Sequence, residues 1–328
     1  MAAIPITRVR GANERLTRTS GHVALFIGAT NGIGASTFHS FLKYFNAPKV
    51  YVVGRLKTKA AAQLATLQEL NSAATIIFLE NEISLIKNVD TVCAQIKEKE
   101  QHLDLLYMSA GYLAFGEPQY TSEGIDTCFA LSYYIRMRLA QNLLPLISRS
   151  PRGGRIVSVL SGGEERGLIK NDLGLKNNYN VINVANQSTT LHTLAFEYLA
   201  KQYPNVSFIH VYPGWVKTDI FLNLFHSSSG CLLTLARWTL VPLFGLIATS
   251  VEDSGERQVY HATDPKYEAP GASGRNSHRV GAKSDIVVDD RVLGPLRAEG
   301  WREKVWEHTE SVWAEALRVR MDVERKIY

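Results

Sequence analysis

The sequence predicts an α/β fold: a doubly wound parallel sheet forming a single domain, with a C-terminal helical extension over a substrate pocket. Three observations carry that expectation. An apolar run, Val23–Ile27, leads straight into Gly28-Ala-Thr-Asn-Gly32-Ile33-Gly34 and then into a helical pattern. Strand-like and helix-like runs alternate from about residue 21 to residue 220, which implies right-handed crossovers and a sheet covered on both faces. Short glycine- and hydroxyl-bearing motifs follow successive strand-like runs, at the carboxyl edge where such sheets bind ligands.

The elements follow in order. Residues 1–20 carry Arg8, Arg10, Arg15 and Arg18 against Glu14 and lack the apolar core of a secretory signal. A mitochondrial presequence stays open, but the segment is not serine-rich and a short surface helix is the favoured reading. Val23–Ile27 reads as a buried strand. Glycines at 28, 32 and 34 permit positive φ and remove the Cβ atoms that would hold backbone away from a pyrophosphate, and the helix behind them offers free N–H groups and its positive dipole end. Further strands are expected at Lys49–Val53, Thr75–Leu79, Leu103–Met108, Arg155–Leu160 and Val206–Val211, with helices at Lys57–Leu70, Ile86–Glu98, Glu123–Ile147 and Ala185–Gln202. Leu222–Ile247 is strongly apolar but is broken by Arg237, Pro242 and Gly245, too short an uncharged run for an ordinary membrane span. It is expected to form two short helices closing over the pocket, with a membrane-surface contact as the alternative. Pro270–Lys283 reads as a loop and Arg297–Arg325 as a charged terminal helix. The chain thus divides into an N-terminal segment (1–20), a dinucleotide-binding unit (21–220) and a lid and extension of the same domain (221–328).

Composition narrows the class. At 45% apolar and 20% charged residues the 328-residue chain has the balance of a globular protein. The net charge of +5 is spread along the chain, with 31 acids among 36 basic residues, so nucleic-acid binding is not expected. Anionic cofactor phosphates account for part of the excess. Cys93, Cys128 and Cys231 are odd in number and lack CxxC spacing, which argues against a disulfide framework or a metal site and for a reducing, cytoplasmic compartment.

The specificity of the cofactor is also read from the residues. The second strand ends Gly54-Arg55, and an arginine there pairs with the 2′-phosphate of NADP(H), where an acid would bond the ribose hydroxyls of NAD(H).

The segment Gly28-Ala-Thr30-Asn31-Gly32-Ile33-Gly34 resembles the cofactor loop of the short-chain dehydrogenase/reductase family, and the chain as a whole resembles a fungal branch of it. The resemblance implies a Rossmann-like fold and a nicotinamide cofactor. It implies that Glu82, after the third strand, contacts the adenine, and that Ala110-Gly111, within Met108-Ser-Ala-Gly, lines the cofactor cleft. Pro213-Gly214-Trp-Val216-Lys-Thr218 would hold the nicotinamide amide. Val9-Arg-Gly-Ala-Asn13 and Leu143-Leu-Pro-Leu146 are further hallmarks of that branch, whose members often serve secondary metabolism.

The family's chemistry uses Ser, Tyr and Lys with a supporting Asn. Ser161 falls on the serine position. No Tyr-x-x-x-Lys occurs: the nearest counterpart, Tyr179-Asn-Val-Ile-Asn183, puts Tyr179 in the tyrosine place and Asn183 in the lysine slot, and Ser132 stands near the supporting position. A phenol with a pKa of about 10 is barely ionised at neutral pH without a nearby cation, so carbonyl reduction is less damaged than alcohol oxidation. Oxidised nicotinamide, Lys170 or Lys176 would be the replacement cations. The leading expectation is an NADP(H)-dependent oxidoreductase acting on a carbonyl or alcohol of a hydrophobic small molecule. An isomerase, dehydratase or cyclase, or an inactive NADP(H)-binding protein, are the alternatives. Relatives form a four-helix dimer through the helices expected at 123–147 and 185–202, but Arg136 and Arg138 leave a monomer open beside a homodimer.

Overall fold

The computed structural model describes residues 3–112, 116–218, 248–270 and 275–327. Seven parallel strands form one sheet in the order β3-β2-β1-β4-β5-β6-β7. They are β1 (Val23–Ile27), β2 (Lys49–Gly54), β3 (Thr75–Glu80), β4 (Leu105–Met108), β5 (Arg155–Val159), β6 (Ser207–Val211) and β7 (Ser277–Val280). The helices are α1 (Ile6–Asn13), α2 (Gly32–Tyr44), α3 (Lys57–Leu70), α4 (Ile86–Lys99), α5 (Ile135–Ile147), α6 (Val181–Gln202), α7 (Val251–Thr263), α8 (Leu293–Ala298) and α9 (Trp301–Ile327).

The continuous apolar reading of the central strands has a direct cause: each faces a core on both sides. Along β1, Val23, Leu25 and Ile27 enter the core under α4, α5 and α6, while Ala24 and Phe26 enter the one under α2, α3 and α7. The strand order reverses direction between β1 and β4, so the carboxyl ends of these two strands diverge into the crevice where such sheets take ligands.

Several expectations needed correction. The region 270–283 contains β7, paired in parallel with β6. The N-terminal helix is not simply a surface feature: Val9 and Asn13 are buried, and Asn13 Nδ2 donates to the Glu256 carboxylate at 2.7 Å on α7. The helix expected from Glu123 starts at Thr127, because Gly124 takes φ +77° in a turn. Glu123 itself is buried and accepts the Ile86 and Lys87 N–H groups, capping α4. From Thr127–Phe129 the chain passes through a π-turn, Ala130–Tyr134, before entering α5. The terminal helix is divided at Gly300, whose φ is +75°. The expected lid, 222–247, lies outside the described residues. Among the described residues no helix is long and apolar enough to cross a membrane.

Candidate active site

A cavity of about 1020 Å³ opens along the carboxyl ends of β1, β2, β4, β5 and β6. It gathers Gly28, Thr30, Asn31, Gly32, Ile33, Gly34, Arg55, Glu82, Ala110, Gly111, Pro213, Gly214, Val216 and Thr218, all the residues expected at the cofactor, together with Ser161. Tyr179 is not part of its described lining.

The glycine turn is built by close approach. Gly28 has φ +87°, and a Cβ there would overlap the backbone of Ala110 in the turn after β4. A Cβ on Gly34 would overlap the Gly28 carbonyl and the Ser109 hydroxyl. Gly32, at φ +55°, faces Thr218 of the Pro-Gly segment, whose methyl lies 3.4 Å from where a Cβ would stand. Asn31 caps α2 by accepting the Gly32 N–H at 2.7 Å, leaving the helix's first turn pointed at the cavity. Glycine at 28, 32 and 34 adds no Cβ to this tightly packed turn, so the cradle fits a pyrophosphate. At the β2 end, Arg55 is exposed and stands 3.9 Å from the Glu82 carboxylate, also partly exposed. Such a pair is weak in solvent and leaves the guanidinium available to an anion.

At the other end, Ser161 follows β5. Its N–H donates to Nε2 of His210 on β6 at 3.3 Å, so the ring proton sits on Nδ1 and is given to Thr193 Oγ1 at 2.8 Å. Burial, with Arg136 and Arg279 nearby, pulls the His210 pKa down to about 3, so the ring is neutral and serves as a fixed acceptor behind Ser161. Ser132, in the π-turn, also lines the cavity.

Tyr179, expected to act together with Ser161, does not line the cavity with it. α6 begins only at Val181, capped by Asn180, which accepts the Asn183 N–H at 2.8 Å. Tyr179 therefore lies in the loop before the cap rather than on the helix's first turn. Its hydroxyl donates to Asp126 at 3.1 Å, and burial followed by the Asp126 charge raises its pKa. Asn183, in the lysine slot, turns its amide back to the Asn178 carbonyl at 2.7 Å. The helix instead presents Ala185 and Ser188 to the cavity. Lys170 and Lys176 do not replace the lysine, since neither lines the cavity and they pair with Glu299 at 2.6 Å and Glu315 at 3.7 Å.

Tyr212 and Arg136 are among the lining residues that the sequence does not single out for the site. Tyr212 stands immediately before Pro213-Gly214 and lines the wall, its pKa raised by burial and then by Glu164. Arg136, on α5, reaches the floor. The signals were present, a tyrosine abutting the Pro-Gly segment and an arginine four residues after Ser132, but neither belongs to a recognised spacing.

Comparison with known proteins gives a consistent picture. A family model described as short chain dehydrogenase matches residues 22–228. The oxidoreductase lepF of Aspergillus flavus is 38% identical, over 90% of this chain and 92% of that one. An oxidoreductase of Emericella nidulans is 34% identical, over 96% and 99% of the two chains. Among solved structures, NADPH-bound carbonyl reductase from chicken fatty liver superposes with a TM-score of 0.57 at 15% identity, covering 82% of this chain and all of that one. The Pseudomonas aeruginosa RhlG complex with NADP gives 0.58 at 17% identity, covering 80% and 95%. At these identities the solved structures speak to the fold.

Proposed function

The chain belongs to the short-chain dehydrogenase family, and on that premise we propose that it is an NADP(H)-dependent oxidoreductase reducing a carbonyl of a hydrophobic small molecule, or oxidising the matching alcohol. The single observation carrying the NADP(H) preference is Arg55 at the end of β2, exposed on the cavity rim where an acid would favour NAD(H). Bound nicotinamide supplies or accepts the hydride; the chain's own residues position the reactants and handle the proton. In this reading Gly28, Gly32 and Gly34 receive the pyrophosphate, Arg55 the 2′-phosphate, Glu82 the adenine side, and Pro213–Thr218 the nicotinamide end.

Ser161, its backbone fixed by His210, holds the substrate oxygen. Of the two tyrosines in the described lining of the cavity, Tyr112 gives its proton to Gln119 at 3.0 Å, and Tyr212 is the one we assign as proton donor, in place of Tyr179, whose proton is directed at Asp126. In this reading the cavity also takes the substrate, a hydrophobic secondary metabolite, beside the cofactor, and the relatives from Aspergillus flavus and Emericella nidulans are named as oxidoreductases.

The experiment is a titration with all four nicotinamide dinucleotides. NADP(H) should bind more tightly than NAD(H), and Arg55→Ala should weaken NADP(H) roughly tenfold or more while changing NAD(H) little. Absence of saturable dinucleotide binding would overturn the proposal. The off-cavity placement of Tyr179 and Asn183 favours a second reading, a non-redox isomerase, dehydratase or cyclase in the same cleft. Product formation without stoichiometric NADPH oxidation would identify it.

A further inference from the structure

Arg136 is 1% exposed, yet it lines the cavity. Its Nε donates to the Leu131 carbonyl at 2.8 Å, inside the π-turn. One terminal nitrogen donates to Ser158 Oγ and the Val159 carbonyl of β5, each at 2.8 Å, and the other to the Ala110 carbonyl after β4 at 2.6 Å. Every partner is neutral. The other deeply buried arginines have carboxylates: Arg155 meets Glu268 at 3.1 Å, and Arg279 meets Glu165 at 3.3 Å and Asp290 at 2.7 Å. Among the described residues no carboxylate lies within ion-pair distance of Arg136.

A buried unpaired charge is costly and is normally paired. Burial lowers the pKa of this guanidinium only to about 10, so it stays protonated at neutral pH. Its position is specific. It lies where the β4 turn meets β5, behind Ser161 and across the cleft from the Arg55 end, in the half that the dinucleotide reading gives to nicotinamide.

We propose that Arg136 is an electrostatic positioning residue, a fixed positive charge in the cleft floor that takes over the role left vacant by Asn183. It favours the uncharged reduced nicotinamide over the cationic oxidised ring and supports negative charge developing on the substrate oxygen. The proposal rests on the nicotinamide reading of the cleft. A purely structural role, bolting the π-turn to the sheet, would make the same hydrogen bonds but would leave the cleft indifferent to cofactor charge.

The test is the ratio of the NADP+ and NADPH dissociation constants, measured by fluorescence titration of the full chain. The wild type should prefer NADPH. Arg136→Met should move the ratio toward NADP+ by roughly tenfold, the scale of one unit charge acting through a partly polar interior, while Arg136→Lys should hold it within roughly twofold. Because Arg136→Met also removes four hydrogen bonds, Ser158→Asp is the second variant: it leaves the guanidinium in place, sets a carboxylate against it, and should shift the ratio in the same direction. A wild type that binds neither form would overturn the cofactor reading and this inference with it. Normal wild-type binding with an unchanged ratio in the folded variants would overturn this inference alone.

Discussion

Two tyrosines in this chain differ in where they stand relative to the cavity, and catalysis should follow that difference. Tyr212 lines the cavity, whereas the Tyr179 hydroxyl is directed at Asp126, which also accepts the Gln119 and Phe129 N–H groups and so anchors the loop before the π-turn. With a ketone that supports NADPH oxidation, Tyr212→Phe and Ser161→Ala should each lower kcat roughly a hundredfold, the scale of a lost general acid or oxygen-holding donor. Tyr179→Phe should leave kcat within a few-fold and cost about 1 kcal/mol in urea unfolding, the net value of one hydrogen bond. A large kcat loss at Tyr179 with Tyr212→Phe silent would reverse the assignment. The asymmetry also explains what the sequence shows at this scale. Gly28 and Gly34 are legible because backbone overlap admits no other residue, so chemistry and residue type coincide. A phenol or a guanidinium can reach a cleft from any neighbouring element, so Tyr212 and Arg136 leave no fixed spacing to read.

At the scale of elements, the strands were legible wherever burial on both faces forced an apolar run, and β7 was not. Its Ser277-His278-Arg279-Val280 reads as loop because Arg279 is buried through pairing with Glu165 and Asp290, a contact that only the fold supplies. The start of α5 was misplaced for a similar reason, since Glu123 looks like a helical residue but acts as the cap of α4. The terminal helix α9 was legible as a helix, but not its role. It lies across α6 and the π-turn: Trp306 stacks on Tyr198, Trp313 Nε1 donates to the Tyr134 carbonyl at 3.2 Å, and Thr309 meets the Tyr133 hydroxyl at 2.6 Å. Trp301, Val305, Trp306 and Trp313 are buried there. At about 1.5–3 kcal/mol per large apolar side chain, their removal approaches the 5–15 kcal/mol that holds a whole domain. Deleting residues 301–328 should therefore abolish soluble expression, or leave protein without a near-UV circular dichroism signal. Because α9 covers the helices through which relatives are expected to dimerise, the intact chain should elute as a monomer in light-scattering chromatography. A stable dimer at micromolar concentration would show that another face is used.

Over the whole molecule, buried histidines should set the acid limit of stability. Burial depresses the pKa of His22, His278 and His308 to about 4 and of His210 and His261 to about 3, and drives His192 well below its ordinary value. In the unfolded chain these rings titrate near 6.5. The unfolded state therefore binds more protons than the folded one throughout the window below 6.5, so stability is fully present above that pH and falls as the solution is acidified toward the folded values. By pH 5 each of the five rings held at about 3 to 4 contributes a loss of roughly 2 kcal/mol. Together they lose on the order of 10 kcal/mol, comparable to the stability of an ordinary domain, and His192 adds to the loss in the same direction. The Asp172 and Asp290 carboxyls, raised by burial but lowered further by their hydrogen-bond partners, lie below the ordinary value and begin to contribute only at lower pH. The chain should accordingly unfold cooperatively between about pH 6 and pH 4.5, followed by far-UV circular dichroism, and NADPH should lower the midpoint by stabilising the folded form. The rings are spread over β1's approach, α6, β6, α7, β7 and α9, so replacing a single histidine, for example His278→Gln, should move the midpoint by only a few tenths of a pH unit. Full structure persisting at pH 4 would mean that the rings acquire protons without leaving their packed positions.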